Sequence, residues 1–183
     1  MLTWGALSIH TDRLLLRPLT PEDCPDIQRL ASEKDVASTT RDIEHPYTVE
    51  MAQKWVASCR RQSDAGELAH FAITLARDQT FLGAVTLHLD DGRKAAELSY
   101  WVGKPYWGRG YATEAVRAVI HHGFTAVGLD RVYAAHFTRN PSSGRVMQKA
   151  GMLHEGFLKG HTAKWGRFED LELYRVTKEQ FLA

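Results

Sequence analysis

The sequence predicts a mixed α/β fold, and three observations predict it. Segments such as Glu97-Leu98-Ser99-Tyr100-Trp101-Val102 alternate in polarity and are rich in aromatic and β-branched residues, which is strand patterning. Segments such as Ala112, Ala115, Val116, Val119, Ile120 and Phe124 space their apolar residues three and four apart, which is one face of a helix. The resulting order is a strand, two helices, three antiparallel strands, a helix, a strand, a helix and two strands. A doubly wound sheet would alternate strand and helix throughout, so that architecture is excluded.

Each element has its own local signal. Arg13-Leu14-Leu15-Leu16-Arg17-Pro18-Leu19 reads as the first strand. Thr20-Pro21-Glu22-Asp23 starts a helix, with Thr20 as N-cap, Pro21 at the first position and Asp23 reaching back as in a capping box; Ile27, Leu30 and Ala31 continue it. The polar stretch from Lys34 to Pro46 reads as a loop and is a candidate substrate-side lid. Thr48 opens a second helix with Ala52, Trp55, Val56 and Cys59 on one face. Two strands, His70 to Leu75 and Phe81 to Leu89, join at a turn near Arg77-Asp78-Gln79, and Asp91-Gly92 marks the next hairpin turn before Glu97 to Val102. Arg131 to His136 is a later strand. Asn140-Pro141-Ser142-Ser143 starts another helix, with Asn140 as N-cap, Val146, Met147 and Ala150 facing inward and Gly151 closing it. Met152 to Leu158 and Phe168 to Val176 form a final strand pair, joined by a polar loop carrying His161, Lys164, Trp165 and Arg167.

The whole chain narrows the function classes. At 183 residues it is most simply one domain spanning 1–183, with no repeat or internal linker. A formal net charge of +1 provides no basic field to draw nucleic acid. No apolar run reaches membrane-spanning length, and the start lacks the order of a signal peptide, so a cytoplasmic protein without a membrane partner is expected. Cys24 and Cys59 both fall on apolar helix faces and read as buried free thiols of a reducing compartment. His121 and His122 are adjacent and cannot share a helix face, and no metal-ligand spacing occurs, so no metal is expected. A monomer and a homodimer fit the sequence equally.

The chemistry concentrates in Lys104-Pro105-Tyr106-Trp107-Gly108-Arg109-Gly110-Tyr111-Ala112-Thr113-Glu114. This is a strand-to-helix turn with two glycines. Unpaired N–H groups at a helix start, together with the positive helix end, attract an anion, most often a phosphate. Glycines let the backbone approach that anion closely. An ordinary glycine-containing loop has the same local pattern. The turn is not a G-x-x-x-x-G-K-[ST] loop, and Thr113 breaks a G-x-G-x-x-G pattern.

Trp107-Gly108-Arg109-Gly110-Tyr111-Ala112 resembles the acetyl-CoA pyrophosphate loop of the GNAT superfamily of N-acetyltransferases, R/Q-x-x-G-x-G/A. Asn140-x-x-Ser143-x-x-Val146-x-x-Lys149-x-Gly151-Met152 is similar to that family's second cofactor motif. Tyr106 to Glu114, with Thr11-Asp12-Arg13-Leu14-Leu15-Leu16-Arg17 near the start, is especially similar to the ribosomal-protein N-terminal acetyltransferase (RimJ/RimL) branch. The resemblance runs from about Thr11 to Val176. Trp107 departs from it, standing where the general motif has Arg or Gln. The resemblance implies a GNAT fold of the α/β (α+β) class, with a mixed, mostly antiparallel sheet of about six to seven strands and about four helices. It implies acetyl-CoA as cosubstrate, bound by Trp107, Gly108, Arg109, Gly110, Tyr111, Ala112, Thr113, Asn140 and Ser143, with the backbone of Trp101 and Val102 pairing to the pantetheine arm.

Direct acetyl transfer to an amine needs a neutral nucleophile, a stabilised oxyanion and a leaving thiolate. Deprotonation at neutral pH costs roughly 1.4 kcal/mol for an α-amine and over about 4 kcal/mol for lysine. A peptide or protein N-terminus is therefore the expected acceptor; a small amine such as a polyamine, amino acid or aminoglycoside is the alternative within enzymes. A catalytically silent acetyl-CoA-binding module is the alternative outside them. Glu97, flanked by Ala95, Ala96 and Leu98, is the candidate base, directly or through water, and would otherwise be a solvated hairpin residue. Ser143 is the candidate partner of the departing sulfur by resemblance, and a capping residue by local chemistry. Asn140 carries the same two readings. His88, His136, Tyr174 and Trp165 would line an acceptor pocket or simply pack. No covalent cysteine intermediate is expected.

Overall fold

A computed structural model of the chain describes residues 7–90, 92 and 94–183. Eight strands form one sheet in those residues: β1 (Ile9–His10), β2 (Leu14–Arg17), β3 (Leu68–Leu75), β4 (Phe81–Leu89), β5 (Ala95–Val102), β6 (Arg131–Phe137), β7 (Leu153–Lys164) and β8 (Arg167–Thr177). Their spatial order is β1-β2-β3-β4-β5-β6-β8-β7. Six α-helices accompany them: α1 (Cys24–Ala31), α2 (Lys34–Thr39), α3 (Val49–Asp64), α4 (Tyr111–His122), α5 (Pro141–Lys149) and α6 (Lys178–Leu182). The sheet is antiparallel apart from β5 and β6. The turn expected at Asp91-Gly92 involves Asp91, which lies outside the described residues.

The sheet is covered on both faces, which explains why β3 is buried along its whole length. Side chains alternate across a strand. Phe71 and Ile73 pack with Val116, Val119 and Ile120 of α4 and Met147 of α5, while Ala72 and Phe81 pack with Ile27 and Leu30 of α1 and Ala52 and Val56 of α3. Burying a side chain the size of Phe71 or Ile120 is worth about 2–3 kcal/mol, so the sheet is held rigidly between two apolar layers.

Local rules explain the helix ends. Thr48 accepts a hydrogen bond from the Met51 amide at 3.3 Å and caps α3. The capping box at Thr20 forms as expected, the Thr20 amide donating to Asp23 Oδ2 at 2.8 Å, although the turn it opens is 3₁₀ and leads into α1. Asn140 occupies the cap position of α5, but its side chain makes no capping bond; the Ser143 amide is taken by the Asn140 carbonyl at 3.1 Å instead. Gly151, at φ +93, closes α5, its amide donating to Gln148 and the Met152 amide to Met147.

Two expected loops are ordered elements instead. Lys34 to Thr39 forms α2, because Val36 and Ala37 bury against α1 and α3 and both amides bond the Glu33 carbonyl. The expected loop after Leu158 is absent: β7 runs on to Lys164 and β8 starts at Arg167. Trp165 (φ +50) and Gly166 (φ +76) make the two-residue turn, both in the left-handed conformation that suits a tight hairpin. These additions, with β1 and α6, raise the counts above the expected six to seven strands and four helices.

The feature that positions the site is a split in the sheet. β5 and β6 pair in parallel only from Ala95 to Glu97 against Arg131 to Tyr133. Beyond Glu97 the strands separate, and among the described residues the edge of β5 through Leu98–Val102 has no strand partner on that side.

Candidate active site

Two cavities meet at this split. One is a cleft of about 370 Å³ on the α4–α5 side, walled by the end of β5, the glycine turn and the first turn of α5. The other is a cavity of about 260 Å³ on the α1–α3 side, walled by β3, β4, β5, β6 and residues Thr39–Ile43. They share Thr39, Thr40, Tyr100, Trp101 and Ser143.

The cleft brings together nearly all the residues expected to hold cofactor: Trp101, Val102, Trp107, Gly108, Gly110, Tyr111, Ala112, Thr113, Asn140 and Ser143 line it. Arg109 does not line it; its side chain is exposed and its carbonyl accepts from Arg13 at 3.0 Å. Gly108 and Gly110 adopt φ +73 and +79, conformations that L side chains rarely take, and curl the turn into a concave row of amides. Gly110 is also the N-cap of α4, so the amides of residues 111–113 lack intrahelical partners and point out of the positive helix end. Such a cradle offers the donors that a diphosphate requires, and the open edge of β5 offers backbone groups to an extended amide-containing arm. Arg145 and Lys149 add positive charge to the wall.

Trp107 braces the turn. Its indole N–H donates to the Val102 carbonyl at 2.6 Å, tying the glycine turn to the end of β5. A second brace comes from the start of the chain. Glu114, in the first turn of α4, accepts from Thr11 Oγ1 at 2.6 Å, the Arg13 amide at 2.9 Å and Arg13 Nε at 2.7 Å. Burial pulls the Glu114 carboxyl up, but the hydrogen bonds from Thr11 and Arg13 outweigh it and hold it below the usual carboxylate value. Arg13 also stacks over Tyr111, 4.7 Å from the ring centre.

The α1–α3 side of the split carries a polar stripe set by strand register. His70 pairs with Thr86, Thr86 with Ser99, and His88 with Glu97, and residues directly opposite share a face. Glu97 is part-buried, with the Arg41 guanidinium 3.4 Å from its carboxylate. His88 contacts Ser99 Oγ at 3.3 Å. Burial holds the His88 imidazole below its ordinary pKa, with Glu97 pulling the other way, so it is neutral near pH 7. Burial pushes His70 down to about 3, assisted by His88; its Nδ1 lies 2.5 Å from Thr86 Oγ1. The sign of the linkage follows. The unfolded chain takes up a proton on His70 below about pH 6.5 while the native state does not, so native stability is full above pH 6.5 and is lost as pH falls toward 3. The expected slope is about 1.4 kcal/mol per pH unit, or about 2 kcal/mol between pH 6.5 and 5. Urea unfolding of the parent and of His70→Asn at both pH values checks this; equal pH dependence in the two proteins would remove His70 as the cause.

On the opposite face of β5, Tyr100 is paired with Ser143: its hydroxyl lies 2.7 Å from Ser143 Oγ and donates to the Ser143 carbonyl at 2.9 Å. Burial pushes the Tyr100 phenol far above its usual value, so it stays protonated. Tyr100 was missed in the sequence, where it is one aromatic of an alternating strand; Ser143 and the parity of β5 were the signals that could have found it. Arg41 was missed as well, sitting in a polar segment without a motif. Of the four further candidates, His88 and His136 line the α1–α3 cavity, whereas Tyr174 and Trp165 do not. Cys59 lies in the cavity wall, but burial pushes its thiol up to about 12 and raises Cys24 too, so neither is a nucleophile at neutral pH. Among the described residues no group of three or more His, Cys, Asp or Glu is placed to hold a metal ion.

Known proteins are similar to this chain in sequence and fold. Residues 13–153 match the family described as an acetyltransferase (GNAT) domain. The chain belongs to the GNAT acetyltransferases. An uncharacterised N-acetyltransferase of Bacillus subtilis, YnaD, is 30% identical over 176 residues, covering 96% of this chain and 99% of that protein. Mycobacterium smegmatis RimJ, solved with CoA-disulfide, superposes with a TM-score of 0.89 at 24% identity, over 100% of this chain and 93% of that one. Spermidine N-acetyltransferase from Vibrio cholerae, solved with CoA and spermine, superposes with a TM-score of 0.80 at 20% identity, over 94% and 100%. As a GNAT acetyltransferase the chain is an acyltransferase that uses acetyl-CoA. No helix among the described residues is long and apolar enough to cross a membrane.

Proposed function

We propose that this acetyltransferase moves the acetyl group to the α-amine of a peptide or protein N-terminus by direct transfer. The observation that carries this reading is the meeting of the two cavities at Tyr100 and Ser143, with Glu97 on the far side of β5. The thioester supplies an activated acetyl carbon. Gly108, Gly110 and the start of α4 hold the diphosphate, and the open edge of β5 at Trp101 and Val102 aligns the arm. Asn140, which makes no capping bond, is left to contact cofactor from the α5 side. Glu97, directly or through water, takes the proton that the acceptor ammonium must lose. The Ser143 hydroxyl, whose proton the Tyr100 oxygen accepts while Tyr100 donates to the Ser143 carbonyl, turns to donate a hydrogen bond to the departing sulfur.

The acceptor class follows from charge and pKa. Carboxylates in the α1–α3 cavity wall are Asp42 and Glu97, and Arg41 stands beside both, at 3.5 Å and 3.4 Å. A polycation such as spermidine would be repelled by that guanidinium. One carboxylate base must overcome roughly 1 pKa unit for an α-amine but more than about 3 for lysine at neutral pH. Short peptides with a free N-terminus are therefore expected to turn over faster than the same peptides blocked at the N-terminus but carrying lysine, and faster than spermidine. Release of free thiol from acetyl-CoA measures all three. Faster turnover of the blocked lysine peptides or of spermidine would move the assignment to a small-amine or side-chain acceptor.

A further inference from the structure

Arg41 is the one hydrogen-bond and ion-pair partner of the Glu97 carboxylate among the described residues. The contact is loose, at 3.4 Å, and the guanidinium's other ion pair, with the outward-facing Asp42, is 3.5 Å. The backbone beneath it is fixed. Lys164, buried at the end of β7, donates to the carbonyls of Arg41 and Ile43 at 3.2 and 2.5 Å, pinning this segment over the cavity mouth. Arg139 pins the segment's near side through the Ser38 carbonyl at 2.6 Å. A rooted arginine with a weakly held head therefore covers the carboxylate that the acceptor ammonium must reach.

Resting on the acceptor reading above, we infer that Arg41 is a specificity residue that occupies the ammonium position on Glu97 until the acceptor arrives, then turns to bind a carboxylate on that acceptor. An incoming ammonium competes with the guanidinium for Glu97. Two cations beside one carboxylate repel unless the acceptor brings its own anion. A carboxylate within one residue of the reacting amine resolves the conflict: ammonium on Glu97, carboxylate on Arg41. The guanidinium fork suits such a group and is more weakly hydrated than an ammonium. The chemistry selected is an α-amine with a nearby carboxylate, either an acidic side chain at the first or second residue of a peptide or the carboxylate of a free amino acid.

The test is a panel of isosteric pairs assayed for thiol release: tetrapeptides beginning with Asp against Asn, tetrapeptides with Asp against Asn at the second position, and alanine against alaninamide. The readout is the ratio of kcat/KM within each pair. The parent enzyme is expected to favour the carboxylate member of at least one pair by about ten-fold or more. Arg41→Gln should bring that ratio to parity, and Arg41→Lys should keep part of it, since it retains the charge without the fork. The pair that shows the preference identifies the source of the carboxylate. Ratios near one throughout in the parent, or a preference that survives in Arg41→Gln, overturn the inference. Turnover of the peptides is read separately: its absence for both the acidic and the neutral members would count against a peptide acceptor, whereas its presence with ratios near one would count against Arg41 alone.

Discussion

Gly110→Val is expected to lower acetyl-CoA affinity by at least about 100-fold, close to 3 kcal/mol. Gly110 holds φ +79, where a β-branched side chain is strained by about 1–3 kcal/mol, and it is the N-cap whose geometry aims the amides of α4 into the cleft. An added Cβ would already be in contact with Arg13 Nη2 at 3.4 Å, which leaves the valine methyl groups little room beside the guanidinium that braces the turn through the Arg109 carbonyl. Calorimetric titration with acetyl-CoA, beside a thermal melt to confirm folding, makes the measurement. A folded Gly110→Val protein that binds as tightly as the parent would falsify the placement of the cofactor.

Glu97→Gln is expected to lower kcat by about 10²–10⁴-fold, because an amide of the same shape cannot accept the acceptor's proton. Acetyl-CoA affinity should barely change, since Glu97 lies outside the walls of the cofactor cleft. The pH dependence of kcat/KM discriminates further. The profile should differ between the parent and the variant, because only the parent keeps the general base. An identical profile in both proteins would remove Glu97 from the proton path and shift attention to His88, its cross-strand partner.

Much of the fold was legible because its signals are local. Thr48, Pro141 and Gly151 mark helix ends by backbone chemistry that works wherever it occurs. The alternation of β5 and the helical spacing of α4 identify a strand-turn-helix without tertiary information. Expectation failed where tertiary contacts decide. α2 has two buried apolar residues and no strong cap, so its helix depends on burial against α1 and α3. The β7–β8 hairpin turns at Trp165-Gly166, a pair without the usual Asn-Gly or Asp-Gly signal, and the polar residues before it belong to a strand that is largely exposed apart from the buried Lys164.

The site divides in the same way. The cleft beside the glycine turn is lined largely by two continuous motifs, so the residues that line it stand together in the sequence; Arg109 belongs to the first motif but does not line the cleft, because a side chain's direction is not fixed by membership of a motif. The acceptor side is assembled from β3, β4, β5, β6 and the segment after α2, and no short pattern spans those elements. The pairing of Tyr100 with Ser143 joins residues 43 positions apart, and that of Arg41 with Glu97 joins residues 56 apart.

The brace from Thr11 and Arg13 to Glu114 makes the glycine turn a product of the whole chain's closure. Its hydrogen bonds span 101 and 103 residues, so the loop entropy of joining the first strands to α4 must be overcome before the turn is fully braced. With acetyl-CoA held at this turn as proposed, any fraying of β1 and β2 would weaken that hold at a distance. By linkage, bound acetyl-CoA would suppress such fraying by the same free energy, so occupancy of the cleft and docking of β1 and β2 would rise and fall together.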